Sequence, residues 1–408
     1  MKRYQWMGIM LSLVLLLCSC GTDKEVEKKA GESTSTPSAT ASVTPLISED
    51  EAFSETEKIV KTMTIEQKVG QMFLVDLLQL DASPSVDGTA YKATDSMKQA
   101  IIDYHLGGVY LTKENIKSQK QTKKLVQNLQ ASVVSGSALY VAVEEDGGGE
   151  NSISAKVEDL KDTGYVTPKE MGQNMTANQI YESGKTIAGE LTKIGINLNL
   201  APVADLASDQ NPSYAMRCLG SDADGVADLL DDFVSGMREG GLSVTLKTFP
   251  GIGNVSADVT ESIAENTDSL MTIRDTNFVP YASGIQAGAD CVMVSNAAYS
   301  KLTVKKVPAF MSQDIVTKLL REELGFDGIV MTSPLNDNVI ENNYTNEFAV
   351  VEAVKAGCDL IVLPGNFKEC YEALITAVEE GRIDEKVINT SVRRILQNKI
   401  QRGILVLE

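Results

Sequence analysis

The chain has 408 residues with 37 Lys and Arg against 56 Asp and Glu, for a formal charge of −19, and 43% of it is hydrophobic. So acidic a chain lacks the overall basic surface that nucleic acid or another polyanion requires, and such partners are set aside on that ground. Its single histidine, His105, excludes His-rich metal sites and any mechanism that needs a histidine elsewhere.

Met1-Lys2-Arg3 precede an apolar run from Trp6 to Leu17, then Leu17-Cys18-Ser19-Cys20-Gly21. This is a charged start and a short apolar segment, which reads as an export signal too short to span a bilayer comfortably. A small residue followed by Cys matches the lipobox of bacterial lipoproteins. Residues 1–19 are therefore expected to be a signal peptide and Cys20 the lipidated N-terminus. An ordinary cleaved signal or an uncleaved anchor are the alternatives, and all three place the body outside the cytoplasm. Residues 20–50 are rich in Ser, Thr, Ala, Glu and Lys and hold almost no large apolar side chains. They cannot bury enough surface to fold and read as a tether.

Residues 51–408 show no second low-complexity stretch and read as one domain. Strands are predicted at Met72–Leu77, Gly107–Leu111, Leu139–Val143, Asn197–Val203, Ser243–Thr248, Asp290–Ser295, Gly328–Thr332 and Asp359–Leu363. Between them, amphipathic helices are predicted at Asn178–Ile194, Val226–Glu239, Asp314–Glu323 and Asn346–Lys355. Several stop at glycine, at Gly240-Gly241, Gly325 and Gly357, as a left-handed helix end requires. About eight strands alternating with helices predict an α/β fold, a (β/α)8 TIM-type barrel, with an open doubly wound sheet as the alternative.

Barrel chemistry sits on loops at the C-terminal ends of the strands. The polar residues there are Glu144, Glu145 and Asp146, Asp205, Arg217, Lys247 and Thr248, Asn296, and Ser333. Two groups have bland readings: a solvated acidic turn for residues 144–146, and a structural ion pair with a neighbour such as Asp205 for Arg217 and Lys247. His105 precedes the second strand, at the end of the barrel away from any chemistry, and Asp327 is expected to pack or hydrogen-bond within its strand signature. Cys218, Cys291, Cys358 and Cys370 form no C-x-x-C pair, and a Cys358–Cys370 disulfide is open. No metal site is indicated.

In order, the runs Met63-Thr-Ile-Glu-Gln-Lys-Val-Gly-Gln, Leu106-Gly-Gly-Val, Ala201-Pro-Val-Ala-Asp, Arg217-Cys-Leu-Gly-Ser-Asp, Lys247-Thr-Phe-Pro-Gly-Ile-Gly, Leu324-Gly-Phe-Asp-Gly-Ile-Val and Ser391-Val-Arg-Arg-Ile-Leu resemble the N-terminal barrel of glycoside hydrolase family 3, in its β-N-acetylglucosaminidase branch. The resemblance implies a retaining hydrolase with a carboxylate nucleophile, a separate acid/base and no cofactor. It also puts Ser333 where the nucleophilic Asp belongs, and Thr260 where the acid/base His belongs, with Asp258 retained to hold that missing His. Thr248, Ile252 and Asn296 stand where the family carries further histidines. Arg217, Lys247 and Glu144 match positions that bind the sugar, and with Thr248 and Asn296 make up the expected substrate contacts. Asp258, Glu261 and Asp337 are the carboxylates from which a mechanism could be rebuilt.

The expectation is a surface lipoprotein that binds cell-wall or N-acetylglucosamine-containing glycan without cleaving it. A live β-N-acetylhexosaminidase with relocated catalytic groups and an envelope scaffold protein are the alternatives.

Overall fold

A computed structural model describes residues 47–407, apart from 82, 86–87, 134–136 and 148–165. All eight predicted strands are present: β1 (Phe73–Asp76), β2 (Gly108–Tyr110), β3 (Tyr140–Val143), β4 (Leu198–Asn199), β5 (Ser243–Phe249), β6 (Cys291–Val294), β7 (Ile329–Thr332) and β8 (Ile361–Val362). They are parallel and pair in chain order, with β8 beside β1. A parallel bridge from Met331 to Leu360 brings β7 against the start of β8 and completes the ring. The barrel reading therefore holds over the open sheet. Closure explains the apolar runs, because strands such as Cys-Val-Met-Val in β6 are buried along their whole length.

Except for β5, which runs one residue further, the strands are shorter than predicted, most of all β4, where Pro202 within Leu200–Val203 has no N–H for a ladder. The predicted helices appear as Ala177–Lys193, Ala223–Glu239 and Asn346–Ala356, whereas Asp314–Glu323 is wound as a π-helix. Gly357 ends its helix at φ 112°, as a left-handed stop requires. Gly107 is needed for a different reason: a Cβ there would fall 2.0 Å from the Gln71 carbonyl oxygen, so only glycine lets the chain enter β2 beside β1. The first described helix, Glu49–Thr62, begins before the expected tether boundary. Ser48 caps it and Glu49, Asp50 and Glu51 favour its positive end.

The helix Glu385–Gln401 closes one end of the barrel. Its Lys399 Nζ donates to Gln71 Oε1 at 2.9 Å and to the Gly107 carbonyl at 2.8 Å, before β1 and β2. Asn398 Oδ1 accepts from the Tyr140 hydroxyl at 2.7 Å, and Asn398 Nδ2 donates to Asp290 at 2.8 Å, just before β6. Arg402 grips the same Asp290 with two nitrogens, at 2.8 and 2.7 Å. Ser391 donates to Asp359 at 2.8 Å, ahead of β8. One helix thus occupies the N-terminal ends of the strands and leaves the C-terminal ends as the mouth.

Candidate functional site

Glu144 and Asp146 follow β3, Lys247 sits near the end of β5, and Arg217 comes from the loop after β4. These four side chains meet. Lys247 Nζ lies 2.7 Å from Glu144 Oε1 and 2.8 Å from Asp146 Oδ1. Arg217 Nε donates to Asp146 at 2.7 Å, and its other end pairs with Glu144 while its guanidinium stacks 5.7 Å over the Tyr214 ring. Lys247 is 3% exposed and Glu144 40% exposed, so the network has a buried floor and an open face. Burial alone would raise the pKa of Glu144, but Lys247 and Arg217 outweigh it and hold the carboxylate well below its ordinary range.

Arg217 and Lys247 form the structural ion pairs expected of them, with Glu144 and Asp146 as the neighbours rather than Asp205. Asp205 lies fully buried and accepts from the Thr248 amide and hydroxyl at 3.0 and 2.8 Å, from the Ile252 amide at 3.0 Å, and from the Tyr214 and Tyr281 hydroxyls at 2.9 Å each. No room is left on it for a cation. The acidic turn is solvated only at Glu144. Glu145 is fully buried, with its carboxylate accepting from the Gly147 amide at 3.1 Å, and Asp146 is 11% exposed.

Thr248 turns its hydroxyl to Asp205, away from the charged network, so of the five expected substrate contacts only Glu144, Arg217 and Lys247 are drawn together. Asn296, after β6, is 1% exposed and donates from Nδ2 to Asp337 Oδ2 at 2.8 Å. Asp337 follows β7 and is partly buried. Burial raises its pKa, the Asn296 bond lowers it, and repulsion from Glu144, Asp258 and Glu261 raises it again, to about 7.

Ser333 is 5% exposed and its Oγ donates to the Val294 carbonyl at 3.0 Å. Asp258 accepts from the Thr260 amide at 2.9 Å and from its hydroxyl at 2.7 Å. The loop carrying them is stapled to the short helix Asn338–Glu341: the Val339 amide donates to the Thr260 carbonyl at 2.7 Å, and Asn338 Nδ2 to Glu261 at 2.9 Å.

His105 precedes β2, as expected of a residue away from the mouth, and its carbonyl accepts from Gln71 at 2.7 Å. Asp327 is not packed: its side chain is 89% exposed and paired with Arg394. The thiols of Cys218, Cys291, Cys358 and Cys370 are free and buried. Cys20 lies outside the described residues. Sequence reasoning gave no sign of Tyr214 and Tyr281 as partners of Asp205, nor of the Asn296–Asp337 contact, because 41 residues separate the latter pair.

Residues 64–398 match the glycosyl hydrolase family 3 N-terminal domain. The chain is 26% identical over 369 residues to Beta-hexosaminidase A of Pseudoalteromonas piscicida, covering 83% of this chain and 61% of that protein. It is also similar to the solved glycoside hydrolase family 3 β-N-acetylglucosaminidase from Paenibacillus sp. str. FPU-7, with a TM-score of 0.75 at 29% identity, over 85% of this chain and 64% of that one. A β-N-acetylhexosaminidase from Beutenbergia cavernae DSM 12333 superposes with a TM-score of 0.71 at 28% identity, over 83% of this chain and 98% of that one. The chain thus spans less than two thirds of the first two of these relatives.

Proposed function

The chain belongs to glycosyl hydrolase family 3, and from there we propose that it is an extracytoplasmic protein, lipid-anchored through Cys20, whose barrel mouth holds a cell-wall or N-acetylglucosamine-containing glycan without cleaving it by the retaining route. The observation that carries this reading is Ser333. The resemblance puts it at the nucleophile's place, and there a neutral hydroxyl is turned to the Val294 carbonyl. A donor so engaged carries no negative charge to stabilise an oxocarbenium ion, and among the described residues its hydroxyl is bonded to a carbonyl and not to a base. Thr260 supports the same reading. Its hydroxyl leans on Asp258 and does not titrate near neutral pH, and general acid catalysis alone is worth about 10²–10⁴ in rate. The charged floor of Glu144, Asp146, Arg217 and Lys247 supplies oriented donors and acceptors for sugar hydroxyls.

Asp337 favours a second reading, a hydrolase with relocated groups, because a partly buried carboxyl titrating near 7 could serve as a general acid. A panel of p-nitrophenyl β-glycosides, led by the N-acetylglucosaminide, separates the two when paired with calorimetric titration of N-acetylglucosamine oligomers. Binding without release of nitrophenol is the expected result. Turnover that vanishes in Asp337→Asn would overturn the binding reading in favour of the relocated hydrolase.

A further inference from the structure

Where the resemblance calls for histidines, the mouth of this barrel has Thr248, Ile252, Asn296 and Thr260, so residues able to carry positive charge have given way to neutral ones. The carboxylates stay. Lys247 and Arg217 are taken up by Glu144 and Asp146, while Asp258, Glu261 and Asp337 lie around the other side. The charged groups acting most strongly on Asp337 are Glu144 across the mouth, Asp258 and Glu261 on the loop docked against it, all of them carboxylates. Among the described residues, the only donor to its carboxylate is the Asn296 amide.

A second, independent observation sits on that amide. Asn296 is 99% buried, its Nδ2 points at Asp337, and its Oδ1 beside the same carboxylate has no donor among the described residues. A buried amide oxygen without a donor costs about 1–3 kcal/mol, so an N–H or O–H supplied to it would be stabilising. Among the described residues, no three His, Cys, Asp or Glu side chains converge to hold a metal ion.

We propose that the Asn296–Asp337 corner of the mouth recognises a protonated amino group on a sugar ring, making the ligand a glycan with unacetylated hexosamine rather than a fully N-acetylated one. This rests on the carbohydrate-binding reading above. An ammonium offers three donors and a charge: one N–H meets Asn296 Oδ1, another meets the Asp337 carboxylate, and the charge faces Asp258, Glu261 and Glu144. An acetamido group offers one N–H and no charge, and it would bring a carbonyl oxygen toward carboxylates. Ammonium binding stabilises the ionised form of Asp337, so the carboxyl gives up its proton as the ligand enters.

The test is titration calorimetry of the full chain at about pH 6, where such an amine is protonated, with β-1,4-linked glucosamine disaccharide and its di-N-acetylated counterpart. The parent is expected to bind the amine form at least tenfold more tightly and to release a proton, seen as a binding enthalpy that varies with the buffer. Asp337→Asn should bring the two affinities to within about twofold. Glu261→Gln, on the exposed rim where folding is not at risk, should narrow the gap by a smaller factor. Equal affinities in the parent, or preference for the acetylated sugar, would overturn the inference while leaving glycan binding intact. A preference that survives Asp337→Asn would also overturn it, and binding of neither sugar would remove the carbohydrate reading as well.

Discussion

Lys247 shows how one side chain organises the mouth. Its ammonium is buried and satisfies both Glu144 and Asp146. Lys247→Met leaves Arg217 as the sole cation, so a urea titration should register a loss at or below the lower end of the roughly 3–5 kcal/mol typical of a broken buried pair. Glu144 adds a pH dependence to this. Its pKa is held below the ordinary 4.5, so its contribution is complete above that value and disappears as the pH falls through the folded one. Asp337 acts with the opposite sign. The folded chain keeps a proton on it up to about pH 7, whereas the unfolded chain releases it near 3.8. The penalty is therefore full above pH 7, and Asp337→Asn should raise the midpoint of thermal unfolding at pH 8 while leaving it unchanged at pH 3. Burial raises the pKa of all four body thiols. A thiol reagent such as Ellman's should find none of them in the native protein and all of them after denaturation.

At the scale of elements, the Glu385–Gln401 helix contributes more than its apolar face. It carries Lys399, which meets two neutral oxygens and the Tyr140 ring at 4.8 Å and, among the described residues, no carboxylate. Burial accordingly drops its pKa from 10.5 to about 7. Between those values the unfolded chain binds a proton that the folded chain does not, so stability rises with pH across that window on this account. Denaturant midpoints at pH 7 and pH 9 should show that rise in the parent and a flatter response in Lys399→Met. The short helix Asn338–Glu341 performs the matching task at the mouth, pinning the 258–261 loop through Val339 and Asn338. A loop so held sets Asp258 and Glu261 beside Asp337.

For the molecule as a whole, the net charge of −19 is spread unevenly. Part of the negative charge is drawn into the mouth, where it meets Lys247 and Arg217 and leaves carboxylates over, so the local field there favours cations. The barrel is one ring whose first and last strands are neighbours, with β8 paired to β1, so the mouth is assembled only when the whole circuit closes. The proposed lipid anchor has its own test, independent of the barrel. Cys20→Ala should move the chain from the membrane pellet to the soluble fraction after cell breakage, and persistence in the pellet would refute the lipid anchor.

The eight strands, their parallel alternation with helices and the end of the barrel at which polar residues gather are all legible in the chain. Each of these follows from local periodicity and glycine stops that need no distant partner, as in Cys291–Val294 and at Gly357. The family motifs were equally legible, because an ordered set of short runs is a property of the chain. The pairings of side chains across the mouth come from the closed barrel alone. That Lys247 meets Glu144 across 103 residues, that Asp205 turns to Tyr281 instead, and that Asn296 leans on Asp337 depend on where β3 to β7 lie around the ring. Short strands of two to seven residues leave many rotations of a side chain open, and closure of the barrel selects one.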